Sequence, residues 1–180
     1  RSPETVSGST HLYGVKFANG KFYVTGNRNR VMVLVPDEKD GIYIEKNVNQ
    51  GQIMSRTNDL AYGNGVYVAV GTKEDYISKD GQIWEETAPE WQNWGIAFGD
   101  NKFVKVCGFG RIFVSPNGSS NTWQEKMYAQ RTMLWDVTYG KGMWVVSGKD
   151  GILYTSNDAE KWTSVAINPS NTLKKLIFIE

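Results

Sequence analysis

The sequence predicts an all-β fold assembled from four similar four-stranded units, and three observations carry that expectation. Apolar and polar residues alternate with a period of two along most of the chain, and no stretch shows a convincing helical period. Nineteen glycines and 5 prolines break these runs at short intervals, as tight turns between strands require. One pattern of about forty residues then returns four times.

The four copies are "YGVKFANGKFYVTG" (13–26), "NDLAYGNGVYVAVG" (58–71), "WGIAFGDNKFVKVCG" (94–108) and "WDVTYGKGMWVVSG" (135–148). Each reads as a strand, a tight turn of the Asn-Gly or Lys-Gly kind, and a second strand closing near a glycine. Anchored on Phe22, Tyr67, Phe103 and Trp144, they are spaced by 45, 36 and 41 residues, the length of a four-stranded blade. Val15, Leu60, Ile96 and Val137 align, as do Phe17, Tyr62, Phe98 and Tyr139, and residues two apart share a strand face. The other face carries Ala61, Ala97 and Thr138, with Lys16 as the odd member. Large residues on one side and small ones on the other suit sheets packed face to face. Cys107 stands where the other copies have Gly26, Gly71 and Gly148, so it reads as a small buried residue.

These units predict a β-propeller of four-stranded antiparallel blades, at about 12–47, 57–88, 93–128 and 134–167. Elements of a fifth blade are also expected. "NTLKKLIFIE" fits another first strand from residue 173 to 180, with Leu176 and Phe178 at the apolar positions. "RSPETV" is similar to "VSPNGS", which makes residues 1–10 a candidate contribution to the same blade. A lone first strand would leave an open edge. Three ways of closing it stay open: a larger parent chain, a homo-oligomer, or unconventional pairing of the terminal strands.

The third strands end in a second repeated phrase: "DYISKDGQIW" (75–84), "IFVSPNGSSNTW" (112–123) and "LYTSNDAEKW" (153–162), with Trp84, Trp123 and Trp162 at intervals of 39 and 39. The first unit keeps only "VLVPDEKDG". This phrase resembles the Asp-box, or BNR, repeat of sialidase-type propellers, and more closely the Ser-x-Asp-Gly-x-x-Trp variant of bacterial surface and bacteriophage tail proteins. In a hairpin turn the Ser and Asp side chains can accept backbone N–H groups while the indole packs between sheets. Recurrence in three units suits a structural stitch better than a single active site.

Composition narrows the functional classes. Twenty basic against 19 acidic side chains give a net charge of +1, which supplies no long-range field for duplex nucleic acid or an anionic bilayer. "VMVLV" and "LIFI" are far shorter than a membrane span. One cysteine and one histidine, His11, argue against a soft-ligand metal site, and neither a cofactor nor a metal is expected.

Propellers bind ligands on the face formed by the loops leading into each blade and those between second and third strands. Here these are "NQGQIMSRTN", "TAPEWQNW" and "KMYAQRTMLW", with "GNRNR", "GTKED", "GFGR" and "GKDG". They gather Tyr13, Trp91, Trp94, Phe109 and Trp135 with Arg28, Arg30, Lys73, Arg111 and Lys149. Aromatic faces stack on sugar rings and guanidinium groups grip oxyanions. The expected function is therefore a non-catalytic recognition platform for a cell-surface glycan, anionic in one version. On the resemblance it would sit outside the cell, on a virion or cell surface. Two alternatives stand beside it: a sialidase-like hydrolase fragment, for which Arg28, Arg56, Arg111 and Arg131 could supply arginines, and a structural or protein-binding ring.

Overall fold

In the computed structural model, residues 11–27, 31–37, 41–45, 56–87, 91–130, 132–167 and 171–179 are described. They form four antiparallel four-stranded sheets, each a simple meander, with two single-turn 3₁₀ segments and no α-helix among the described residues. Blade 1 comprises β1 (Leu12–Ala18), β2 (Lys21–Gly26), β3 (Val31–Asp37) and β4 (Gly41–Glu45). Blade 2 comprises β5 (Thr57–Gly63), β6 (Val66–Gly71), β7 (Asp75–Ser78) and β8 (Glu85–Thr87). Blade 3 comprises β9 (Asn93–Gly99), β10 (Lys102–Cys107), β11 (Arg111–Ser115) and β12 (Gln124–Tyr128). Blade 4 comprises β13 (Leu134–Gly140), β14 (Met143–Gly148), β15 (Ile152–Ser156) and β16 (Thr163–Ala166).

The hairpins between first and second strands follow from their turn residues. Asn19-Gly20, Asn64-Gly65, Asp100-Asn101 and Lys141-Gly142 all take positive φ at both positions, so each two-residue loop has the twist that matches its strands. The first strands β1, β5, β9 and β13 lie side by side in chain order and line a central cavity of about 390 Å³. This is a propeller of four blades.

The core lies between blades. Tyr23, Val31 and Val33 of blade 1 pack with Leu60, Tyr67, Ala69, Tyr76 and Trp84 of blade 2. Ala61, Val68 and Val70 pack with Ile96 and Phe103 of blade 3. Val104, Val106, Ile112 and Val114 pack with Leu134, Val137, Trp144, Val146 and Ala159 of blade 4. The large and small strand faces noted in the sequence thus meet across blade junctions. Close approach there needs small residues: a Cβ on Gly63 would overlap the Phe98 ring, and one on Gly99 would overlap Tyr139.

The Ser-x-Asp turns are stitches at the ends of the third strands. The Gly81 amide donates to Ser78 Oγ at 2.9 Å, and the Gln82 and Ile83 amides to Asp80 Oδ1 at 2.8 and 2.9 Å. Blade 4 repeats this with Ala159 on Ser156 at 2.9 Å, and Glu160 and Lys161 on Asp158 at 2.8 and 2.9 Å. In blade 3, where Asn117 replaces the aspartate, the Gly118 amide donates to Ser115 Oγ at 2.8 Å, and Asn117 Oδ1 accepts the Ser119 amide and the Thr122 hydroxyl. Gly81 sits against Tyr23 and Gly118 against Val68, so each turn also packs on the preceding blade.

Cys107 is buried, and that burial pushes its thiol above the usual range. Residues 171–179 pair into no strand among the described residues, yet they lie against blade 4, where the Leu176 amide donates to Asp136 Oδ2 at 2.7 Å. Residues 1–10 and the latter part of "DEKD" at 38–40 fall outside the described residues.

Candidate functional site

Every first strand opens with the same irregularity. In blade 1 the partner of Gly26 is Leu12 and the partner of Thr25 is Gly14, which leaves Tyr13 unpaired. Asn58, Trp94 and Trp135 are skipped in the same way in blades 2, 3 and 4. A bulge of this kind re-aims its extra side chain out of the strand's alternation. The aromatic residues singled out at this position are therefore not continuations of the packed face, as period-two counting implies.

All four of these positions build one group. The Arg56 guanidinium lies 4.0 Å from the centre of the Tyr13 ring and 5.0 Å from that of Trp94. Its Nε donates to Asn58 Oδ1 at 2.8 Å, which holds the plane in place. Trp94 meets Trp135 edge to face at 5.0 Å, and Lys174 Nζ stands 5.8 Å over the Trp135 ring. Such cation–π contacts hold charge against an aromatic surface without removing it.

A second group sits on blade 3. Trp91 meets Phe109 edge to face at 5.7 Å. Arg111 lies between the rings of Trp91, at 4.3 Å, and Tyr128, at 4.2 Å, and its Nη1 is paired with Glu125. The two groups adjoin along one short turn, because Gly108 rests against the Trp94 indole while Phe109 rests against Trp91. Phe109 and Tyr13 are exposed, whereas Trp91, Trp94 and Trp135 are half-buried.

Of the other basic candidates, two are described. Lys73 is exposed at the end of β6, and Lys149 Nζ is 3.7 Å from its neighbour Asp150. Arg28 and Arg30 lie outside the described residues. Arg111 is not the free oxyanion grip expected from its loop, since Glu125 neutralises it and two rings enclose it. Sequence reasoning did not place Arg56 in this site, nor Tyr128, Glu125 and Lys174. The pairing of Arg111 with Tyr128 across β11 and β12 is the kind of signal that could have found the second group.

Below the bulges, charges converge on the central axis. Asp59 Oδ2 accepts the Ile96 amide at 3.2 Å and lies 3.6 Å from both Lys16 Nζ and Lys175 Nζ. Lys175 also stands 3.4 Å from Asp136 Oδ2. Burial raises the Asp136 carboxyl, against the pull of Lys175. Among the described residues no group of three His, Cys, Asp or Glu side chains is arranged to hold a metal.

No protein family's sequence profile matches the chain, and no curated protein does. Solved structures do. The computationally designed Ika8 protein is similar over 94% of this chain and 53% of its own, at 14% identity and a TM-score of 0.70. YCF48 from Cyanidioschyzon merolae is similar over 93% of this chain and 59% of its own, at 16% identity and a TM-score of 0.65. A structure of YCF48 bound to D1 peptide is similar over 90% and 55%, at 18% identity and a TM-score of 0.62. The chain spans about half the length of these structures, and the likeness is one of fold, propeller blades of antiparallel strands.

Proposed function

We propose that this chain is a non-catalytic recognition platform that takes its ligand flat against the aromatic groups at the lead-in end of blades 1, 3 and 4. The observation that carries this reading is the Arg56 guanidinium held between Tyr13 and Trp94, in line with Trp135. Rings turned out of their strands at three aligned bulges, one exposed and two half-buried, offer π-faces that a sugar ring can stack on. A cell-surface glycan remains the proposed ligand. Its anionic version loses support from the Arg111–Glu125 pair and keeps, among the described residues, Arg56, Lys73 and Lys174 as cationic contacts. The proposed setting, a virion or bacterial surface, rests on the Ser-x-Asp-Gly-x-x-Trp resemblance.

A second reading, an extended peptide as ligand, draws on the structure of YCF48 bound to D1 peptide. It is a fold-level analogy. Residues 173–179 are proposed to stand in for the first strand of a fifth blade, since Leu176 and Phe178 meet blade 4 through the contacts that Ile96 and Phe98 make with blade 2.

Glycan and peptide arrays probed with the chain, and with its Trp91→Ala and Arg56→Ala variants, test these readings. Glycan binding lost in both variants supports the first, and peptide binding lost in both supports the second. Turnover of a chromogenic sialoside would replace them with the hydrolase alternative, and silence on both arrays would leave a structural ring.

A further inference from the structure

One end of the arc differs from every junction inside it. Val15 of β1 is 60% exposed, although its counterparts Leu60, Ile96 and Val137 are at most 1% exposed. Leu12 and Phe17 are 55% and 63% exposed, where the residues matching Leu12 are buried and those matching Phe17 half-buried. Strand β1 therefore presents to solvent the apolar side that β5, β9 and β13 press against a preceding blade.

The seat for such a side is repeated within the molecule. Phe98 lies on Gly63 and Tyr139 on Gly99, in each case an inner-strand aromatic over the hairpin glycine of the blade before. A further feature has a period of two blades. The position after the bulge is Gly14, Asp59, Gly95 and Asp136 in turn. Each glycine abuts the aspartate that follows: a Cβ on Gly14 would be 3.6 Å from Asp59 Oδ1, and one on Gly95 would be 3.0 Å from Asp136 Oδ1. Asp59 in turn accepts the amide of Ile96, the residue after Gly95. By this rule Asp136 is suited to accept the amide after another glycine, from a strand bearing an aromatic two residues further on. The run Gly14-Val15-Lys16-Phe17 has that pattern.

We propose that β1 of a second copy of this chain docks on blade 4 of the first, with the Val15 amide on Asp136 and Phe17 over Gly140. Two such junctions join two copies into one closed ring of eight blades, within the usual range of propeller sizes. In the single chain the tail holds the seat: the Leu176 amide is on Asp136, Phe178 is on Gly140, and Lys175 occupies the glycine position. The tail pairs with no strand among the described residues, and Ile177 and Ile179 remain 80% and 77% exposed, so it is an occupant that a paired strand can displace. This inference does not rest on the proposed ligand-binding face, although displacing the tail would carry Lys174 away from Trp135.

Sedimentation equilibrium of three proteins tests it: the chain itself, a Lys175→Ala, Phe178→Ala variant, and that variant with Phe17→Lys added. Loosening the tail is expected to tighten dimerisation at least about tenfold, and Phe17→Lys to return the protein to a folded monomer. Phe17 is exposed in the single chain, so its replacement leaves the monomer core untouched. Lys175→Ala alone gives the same comparison if the double variant does not fold. A tail-loosened protein that stays monomeric, associates no more tightly than the parent, forms anything other than a dimer, or remains dimeric with Phe17→Lys overturns the proposal.

Discussion

Lys105 Nζ lies 2.7 Å from Asp75 Oδ2 in the junction between blades 2 and 3, with both side chains almost wholly buried. Asp75 is further satisfied by Asn93 Nδ2, at 2.8 and 3.0 Å, and by the Gly71 amide at 3.0 Å. Lys105 rests over the Trp123 ring at 4.2 Å. Removing one member of such a pair strands the other charge, whereas removing both need not. Lys105→Met is expected to cost about 3–5 kcal/mol in urea unfolding, and Asp75→Asn combined with Lys105→Met to recover most of it. A double variant as unstable as the single one would show that the pair's packing, not its charge, holds the junction.

Glycines at the hairpins separate into two kinds. At Gly63 and Gly99 an added methyl meets an aromatic ring of the next blade, so Ala at either is expected to destabilise by about 1–3 kcal/mol through overpacking. At Gly20 and Gly65 nothing stands within 4 Å, but φ is +76° and +77°. Ala there is expected to cost about 1 kcal/mol from backbone strain alone. Pairing Gly63→Ala with Phe98→Leu should restore stability, and no smaller side chain should rescue Gly65→Ala. Thermal melts of the four single variants and the pair check this.

The blade order and its turns were legible because their signals are local. Asn19-Gly20 and Lys141-Gly142 announce hairpins by residue type alone, and the Leu60/Ala61 alternation gives the two faces. Even Asp100-Asn101, with no glycine, takes the same turn, since Asp and Asn tolerate left-handed φ. The site was legible only as a set of loops. A bulge shifts parity by one residue, so Tyr13, Trp94 and Trp135 are aimed by a register slip that no count along the strand reveals. Arg56 precedes its strand and finds its rings on blades 1 and 3, a contact that depends on how the sheets stack.

The loss of stability in acid is expected to come from the stitches and not from the buried Asp136. Backbone N–H groups of Lys161 and Glu160, with the Ser156 hydroxyl, hold the Asp158 carboxyl at about 2 against an ordinary 3.8. The Ile83 and Gln82 amides likewise lower Asp80. A lowered folded pKa gives stability that is present above the ordinary value and lost as pH falls through the folded one. Asp136 works in reverse: burial raises it, so its cost at neutrality is relieved on acidification before the ordinary carboxylate range is reached. Burial pulls Lys175 down, but Asp59 and Asp136 outweigh that and raise it above 10.5, so its contribution is lost only in alkali. The thermal midpoint is expected to hold from neutrality to about pH 4 and to fall below it. Ser156→Ala should cost about 1 kcal/mol at neutrality and flatten the acid fall.

Salt and charge substitutions distinguish stacking from anion capture on the proposed binding face. Among the described residues Glu125 is paired with Arg111 and Asp150 lies beside Lys149, which leaves Arg56 and Lys174 as the cations over the rings. A ligand held by stacking should change affinity less than about threefold across the range in which exposed charges become screened, whereas an anion gripped by free cations should weaken steeply. Arg56→Lys keeps the charge but loses the planar stack on Tyr13 and Trp94, and is expected to lower affinity about five- to tenfold. Glu125→Gln frees the Arg111 charge without removing a ring, and should leave a stacked neutral ligand unchanged while strengthening any anionic one. Titration calorimetry of the ligand found by array, at low and high salt, reads all three effects. A salt-sensitive affinity that Arg56→Lys leaves intact would move the recognition from the rings to the cations.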